Sequence, residues 1–499
     1  MKTRKLLCLA LFFGACILNV SADVKPPVQD PFTYPAHGDY TFTSNWIYSH
    51  ALGNYSSKVN PIEGALQLSV AQATVRDMAY WNGKLVFGSR NSVPAIIVMD
   101  AVTGAFEREM PVIAEGFAGT NPCNSICVDD AGNVLVANIA TSTQFQVWKI
   151  DMATGIGTKV IDISNNPIVQ GTRFDAIGVF GDVTTNASIW GVASSVIVDE
   201  VSMFRWVIKD GKVPANPDLI LIDFTTGFNK ATGMGTAPRV YPISNDKAYV
   251  FGSNVLPTLV QVAGDEDDGY TAVAIDGFYS LDSSTTGLVN HIDNVTDPGK
   301  PLILNGASTL NGFTRFKVGD EQFFALSISR HANYSSTDWP TTPNQAWRLY
   351  KFKDDNALIR EAEILWTFPR DGMAQNTSEC PACAVSSANN FFFGPVHAAV
   401  SGGKANIYVY SGEWGVASYT FKTPFDNSIT NPFVTNLSVS GGNKAIEFKG
   451  DVASAQIFSV TGQLVAKSNG ETVAANAGVY VVKATAINGT TVIKKVIVK

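Results

Sequence analysis

Four apolar runs in the middle of this chain end in the same corner, and a recurring corner narrows the possible folds more than composition does. VMDAVTG sets Asp100 ahead of Thr103 and Gly104, and KIDMATG repeats this with Asp151, Thr154 and Gly155. LIDFTTG does so with Asp223, Thr226 and Gly227, and SLDSSTTG, one residue longer, with Asp282 and Gly287. The runs before them, AIIVMD, FQVWKID, LILID and FYSLD, read as strands. An Asp closing a strand can accept turn amides, and a following Gly takes positive φ without steric cost. The corners start at 100, 151, 223 and 282, so they are 51, 72 and 59 residues apart. Propeller blades recur about every 40–50 residues, and the excess is read as loop insertion.

Hairpins fill the spaces between the corners. RDMAYWNGKLVFGSR turns at Asn82-Gly83, NSICVDDAGNVLVANI at Ala131-Gly132-Asn133, and RVYPISNDKAYVFGS at Asn245-Asp246. TRFKVGDEQFFALSIS turns at Gly319-Asp320 and AAVSGGKANIYVYSG at Gly402-Gly403. Strand, turn residues and strand in succession read as a hairpin. Long helical periods are nearly absent, and ALIREAEIL (357–365) reads equally as helix or strand. The expected fold is all-β: a β-propeller over 23–421, with six blades favoured (near 90, 140, 190, 255, 330 and 400) and seven possible. A strand around TFTSNWIYSH (41–50) is expected to complete the last blade, because an open ring would leave unpaired edges. Tandem β-sandwiches are the alternative. A polar, proline-bearing linker at 422–432 precedes a small module at 433–499.

Two resemblances follow from these residues. The run DAGNVLVAN (130–138) is similar to a blade strand of the broad group of NHL-, kelch- and quinoprotein-type propellers, which implies the fold alone. At the C-terminus, VTGQLV (460–465), GVYVVK (478–483) and KKVIVK (494–499) occur in order. Together they resemble the C-terminal sorting domain of type IX secretion cargo, a small immunoglobulin-like β-sandwich. That resemblance implies a sorting motif of Gly478, Tyr480, Lys494, Lys495 and Lys499, and a partner in the secretion machinery. The chain departs from the family at Thr435-Asn436-Leu437, where a Tyr-Pro-Asn-Pro stretch often stands.

The N-terminus reads as an export signal. Lys2, Arg4 and Lys5 precede the apolar run Leu6 to Val20, and Val20-Ser21-Ala22 forms a small-residue cleavage site between Ala22 and Asp23. Cys16 after Phe13-Gly14-Ala15 allows a lipoprotein reading instead. No later stretch is long and apolar enough to span a bilayer. The expected location is extracellular or on the cell surface, or periplasmic if the tail is not a working signal. Loss of residues 1–22 removes three of the 36 basic residues, leaving 33 against 43 acids and a net charge of −10. That balance opposes nucleic acid as a partner, since phosphate binding needs a basic surface. Four cysteines remain: Cys123, Cys127, Cys380 and Cys383. Disulfides are the default for an exported chain, and the pairing stays open. The C-x3-C and C-x2-C spacings also allow a four-thiolate zinc site, and free thiols are the third reading.

No familiar catalytic signature is present: no H-E-x-x-H, G-x-S-x-G, P-loop or G-x-G-x-x-G after a strand. The catalytic residues are therefore unknown. The five histidines, His37, His50, His291, His331 and His397, lack metal-ligand spacing, and neither a metal nor a cofactor is expected. The run Gly264 to Gly269 holds Asp265 and Asp267, and Asp276 follows in register with a calcium loop, but Tyr270 stands where that loop needs Gly. It reads as an acidic turn. The insertion SRHANYSSTDWPTTPNQAWRLY (329–350) is the binding candidate, with Arg330, His331, Tyr334, Asp338, Trp339 and Trp347. Loops this long are uncommon unless functional or disordered. Exposed indoles offer flat faces to sugars or protein partners. The leading expectation is a non-catalytic recognition propeller for a glycan or protein ligand. The alternative is a carbohydrate hydrolase or lyase on the same scaffold.

Overall fold

The computed structural model describes residues 24–424 and 438–499, apart from short internal breaks and the longer stretches 165–172, 224–233, 282–287, 291–301, 304–308, 330–346 and 369–393. The fold is all-β. The 3-10 turn Ile359–Glu361 sits within the ALIREAEIL segment, whose end continues as strand. The chain divides into two compact units. One comprises Met1–Lys317, Glu321–Ala399 and Ile407–Phe421; the other comprises Val318–Asp320, Val400–Asn406 and Lys422–Lys499.

The first unit is a series of four-stranded antiparallel groups in chain order. One contains β2 (Val75–Trp81), β3 (Lys84–Ser89), β4 (Ala95–Asp100) and β5 (Phe106–Pro111). The next contains β6 (Ser125–Val128), β7 (Val134–Ala137), β8 (Gln144–Ile150) and β9 (Gly157–Ser164). Then come β10 (Phe174–Gly181), β11 (Ala187–Ile197), β12 (Glu200–Ile208) and β13 (Asp218–Asp223), followed by β14 (Arg239–Pro242), β15 (Lys247–Gly252), β16 (Val255–Asp265) and β17 (Gly269–Gly277). The outer strands β13 and β17 pair in parallel, from Ile220↔Tyr270 to Asp223↔Val273, which joins these two groups into one eight-stranded sheet. Its end strands β10 and β14 touch, so the sheet nearly closes on itself. A three-stranded sheet of β18 (Tyr279–Leu281), β19 (Leu288–Asn290) and β20 (Leu302–Ile303) comes next. It is followed by β21 (Thr309–Val318), β22 (Glu321–Ser329), β23 (Trp347–Lys351) and β24 (Glu363–Phe368). The last group holds β25 (Val396–Ser401), β26 (Lys404–Ser411) and β27 (Gly415–Lys422). Its fourth strand is β1 (Thr41–Ser49), which lies against β27. The expected completion of the last sheet from the N-terminal side is therefore present.

Apolar side chains pack between successive groups. Val86, Ile96 and Val98 meet Val134, Val136 and Trp148. Leu135 and Phe145 meet Ile189, Phe204 and Trp206, and Trp190 and Met203 meet Val250 and Val260. Tyr249 and Phe251 meet Phe313, Phe324 and Tyr350. Rings of β23 and β24 pack at tilted and edge-on angles against those of the last sheet, Trp347 against Phe42 and Tyr419 and Trp366 against Phe421. The last sheet meets the first through Trp46, Tyr408 and Tyr410 against Phe87 and Met99. The middle strands of these groups, such as β3, β4 and β7, are buried on both faces, which explains why they read as continuous apolar runs.

The Asp corners hold where they join a third strand to a fourth. Asp100 Oδ1 accepts the N–H groups of Val102 and Thr103 at 3.0 and 2.8 Å, and the Gly104 N–H donates to the Asp100 carbonyl at 2.8 Å. Gly104 has φ +72°, and a Cβ there would stand 2.6 Å from the Trp46 ring. Asp151 builds the same corner with Ala153 and Gly155. LILID is the fourth strand of its group rather than the third, and the residues that follow Asp223, like Asp282, lie outside the described residues. The third-to-fourth corner of β16–β17 is instead the acidic run, where Asp265 Oδ1 accepts the N–H groups of Asp267 and Asp268. Asp276, at the far end of β17, is buried and accepts the Ile359 N–H. It shares no site with Asp265.

Burial opposes the charge on Asp100, but Lys84 Nζ and the Thr103 amide and hydroxyl outweigh it and hold the carboxyl at about 2. An unfolded Asp titrates near 4, roughly. The corner's contribution is therefore complete above about pH 4 and is lost as pH falls through about 2. Urea titrations between pH 2 and 5 should show a shallower acid limb for Asp100→Asn than for the wild type.

The second unit contains β28 (Ser438–Gly441), β29 (Ala445–Lys449), β30 (Val452–Ser459), β31 (Leu464–Ser468), β32 (Val473–Ala474), β33 (Gly478–Ala486) and β34 (Thr491–Val498). They form sheets β28-β29-β32 and β31-β30-β33-β34 around Val439, Ile446, Ile457, Val482, Ala484, Val496 and Val498. In β33, Val482 points into this core while Val479 and Val481 face away. Lys494, Lys495 and Lys499 are exposed at the terminal strand, charge that blunts a sheet edge.

Candidate functional site

The first strand of each four-stranded group is an end strand of its sheet: β2, β6, β10, β14, β21 and β25. All six line one cavity of about 770 Å³. Along part of the ring, β2 touches β6, β6 touches β10, and β10 touches β14. The approach is close: a Cβ on Gly178 would lie 2.4 Å from the Val240 carbonyl oxygen.

β14 is thus three strands round from β2, yet Arg239 Nη1 donates to Asp77 Oδ1 at 2.6 Å, with Asp77 buried and Arg239 partly buried. The pair crosses the cavity. Its ends are anchored: Asp77 Oδ2 accepts from Ser125 Oγ at 2.9 Å and from the Ile126 N–H at 3.0 Å, and Arg239 Nη2 donates to the Arg76 carbonyl. Ser125 Oγ in turn accepts the Ile177 N–H at 3.2 Å. Behind the bridge, Arg173 grips the buried Asp175 through Nε and Nη2, at 2.9 and 2.6 Å. Burial lowers Arg76, with Arg173 and Arg239 adding to the effect against Asp175. Arg90 is pushed down to about 10 by burial and by Arg76.

Past the bridge, toward the ends of these strands, the lining includes Tyr80, Cys127, Asp129, Asp130, Phe180, Tyr241, Arg315 and His397. Most of their charge is committed. Asp129 accepts the N–H groups of Ala131, Asn133 and Val183. Arg315 donates to Gln322 and lies over the Phe352 ring. Burial lowers His397, helped by Arg239 against Asp77 and the Met78 backbone. Asp130 is exposed to the cavity: Oδ2 accepts the Gly181 N–H at 3.0 Å, and burial, then Asp129, raise its pKa. Burial also raises Tyr241, and it raises Cys127 well above the thiol range together with Asp77 and Asp129, so Cys127 is no nucleophile at neutral pH.

The residues singled out from sequence lie elsewhere. Arg330, His331, Tyr334, Asp338 and Trp339 fall outside the described residues. Trp347 opens β23 and is fully buried among Phe42 and Tyr419, so it offers no exposed face to a ligand. Cys123 and Cys127 are free thiols, Cys123 buried, and Cys380 and Cys383 fall outside the described residues. Among the described residues no cluster of His, Cys, Asp and Glu is arranged to hold a metal ion. Asp77 and Arg239 were not singled out from sequence. The available signal was an arginine at the start of several first strands, in VRDMAYW, TRFDAIG and PRVYPIS.

Residues 66–248 match the model of a family described as a domain of unknown function, DUF8500. No curated protein matches the chain. Among solved structures, it is similar to a DUF4623 family protein from Bacteroides eggerthii, at 13% identity and TM-score 0.48, with 72% of each chain covered. It is also similar to a protein of unknown function from Bacteroides thetaiotaomicron, at 12% identity and TM-score 0.40, with 71% of each chain covered. A third is PorZ, a surface component of the type IX secretion system of Porphyromonas gingivalis, at 14% identity and TM-score 0.35. That match covers 85% of this chain, which spans about half of PorZ (51%). Among the described residues no helix is long and apolar enough to cross a membrane.

Proposed function

We propose that this protein is an exported six-bladed β-propeller that binds a ligand, glycan or protein, in its central cavity, followed by an immunoglobulin-like β-sandwich of type IX sorting kind. The observation that carries the reading is the single cavity lined by the first strands of six four-stranded groups. Its volume of about 770 Å³ lies within the range of about 300–1,000 Å³ common to ligand pockets. Ala398 lines this cavity and is half-buried, so Ala398→Trp should fill it. In a thermal-shift screen, a ligand that stabilises the wild type should leave Ala398→Trp unmoved, while the unliganded melting temperatures stay within a few degrees. A variant that responds like the wild type would place binding elsewhere.

Export is tested separately. Deleting 433–499 should trap the protein inside the outer membrane, and normal secretion of the truncated chain would remove the sorting role. A carbohydrate hydrolase or lyase is the second reading. It is favoured by Asp130, whose pKa burial and Asp129 raise and which lines the same cavity as His397 and Tyr241. Turnover abolished in Asp130→Asn with the fold intact would select that reading.

A further inference from the structure

We infer that the cavity is a blind pocket for the end of a neutral, hydroxyl-rich ligand, the terminal residue of a sugar chain, rather than a bore through which a polymer passes. This rests on the cavity being the binding site and adds what that site admits. The first ground is the bridge. Arg239 and Asp77 come from strands three places apart round the ring and meet at 2.6 Å. Ser125, the Ile126 amide and the Arg76 carbonyl hold them there. A chain lying across the cavity would have to break a buried ion pair that is anchored on both sides, whereas a chain end can stop above it.

The second ground is the kind of polar group left over. Asp77 and Arg239 neutralise each other, Asp129 is occupied by three backbone amides, and Arg315 is engaged with Gln322 and Phe352. Burial biases His397 toward its neutral form. A charged ligand would enter a low-dielectric space with no uncommitted opposite charge except at Asp130, at a desolvation cost. What the cavity does present is backbone edge. Each of the six lining strands ends its sheet, so one side of each carries amides and carbonyls without a strand partner. Hydroxyls, as both donors and acceptors, satisfy such an edge in place of water. The Asp130 carboxylate can accept from them, and Tyr80, Phe180 and Tyr241 supply ring surface.

The test is an array of neutral, acidic and amine-bearing glycans probed with the full chain, alongside Asp130→Ala and Ala398→Trp. The expected result is retention of neutral glycans that share one terminal residue. Removing or capping that residue should weaken binding more than tenfold, Asp130→Ala should weaken it about tenfold, and Ala398→Trp should abolish it. Thermal unfolding checks that both variants fold. Retention of only charged glycans, lost in Ala398→Trp, would overturn the neutral-end inference and leave the cavity as the binding site. Binding insensitive to the terminal residue would also overturn it, as would failure to retain any neutral glycan. Neutral binding unaffected by Ala398→Trp would overturn this inference and the assignment of the cavity together.

Discussion

A chain lacking residues 24–49 is expected to lose cooperative unfolding altogether. β1 brings Phe42, Trp46 and Tyr48 into the interior, each at most 2% exposed, and the Trp46 indole donates to the Ala101 carbonyl at 3.0 Å. Asn45 Nδ2 bonds Ser418 Oγ, and its Oδ1 accepts from Thr420. Truncating one buried aromatic residue costs about 3–5 kcal/mol. Losing three amounts to about 9–15 kcal/mol, comparable to the whole of the roughly 5–15 kcal/mol that holds a typical domain together, and the edge of β27 is bared as well. Circular dichroism during urea titration should show a broad, shallow change in place of a sigmoid, with new sensitivity to protease. A sharp transition with wild-type midpoint in the truncated chain would mean that β1 does not close the last sheet.

Arg239→Ala is expected to destabilise the protein by about 3–5 kcal/mol, because it strands Asp77 as a buried charge. Arg239 keeps 12% of its side chain exposed, which places the loss at the lower end. The pairing itself contributes less than that loss implies. Replacing both partners, Asp77→Leu with Arg239→Met, should therefore recover most of the stability. Urea midpoints for the wild type, the single variant and the double variant separate the two effects. A single variant within 0.5 kcal/mol of the wild type, roughly, would show that the pair is not buried in solution.

Local pairing was legible in the sequence because it depends on neighbours. Asn82 and Gly83 both take positive φ between β2 and β3, as a two-residue hairpin turn requires. The strand within TFTSNWIYSH was also found from its pattern and from the need to close an edge. The corners were only half legible. An apolar run ending in Asp looks the same whether it is the third strand of a group, as at Asp100, or the fourth, as at Asp223. Trp347 misled for a related reason: an indole at the end of a polar loop and an indole opening a buried strand differ only in what later packs on them. The site was not legible at all. Asp77 and Arg239 are 162 residues apart, and the local bond that Asp77 makes with the Met78 amide gives no sign of Arg239. They meet because the sheets are arranged around a common cavity, and that is set by packing rather than by any short motif.

Because the hydrogen bond from Asn45 to Ser418 spans 373 residues, the finished structure cannot exist until nearly the whole first unit has been synthesised. Such distant pairing makes for slow assembly. During synthesis, the early segment must wait for its partner. The clasp that steadies the finished molecule therefore cannot form until that late strand has been made.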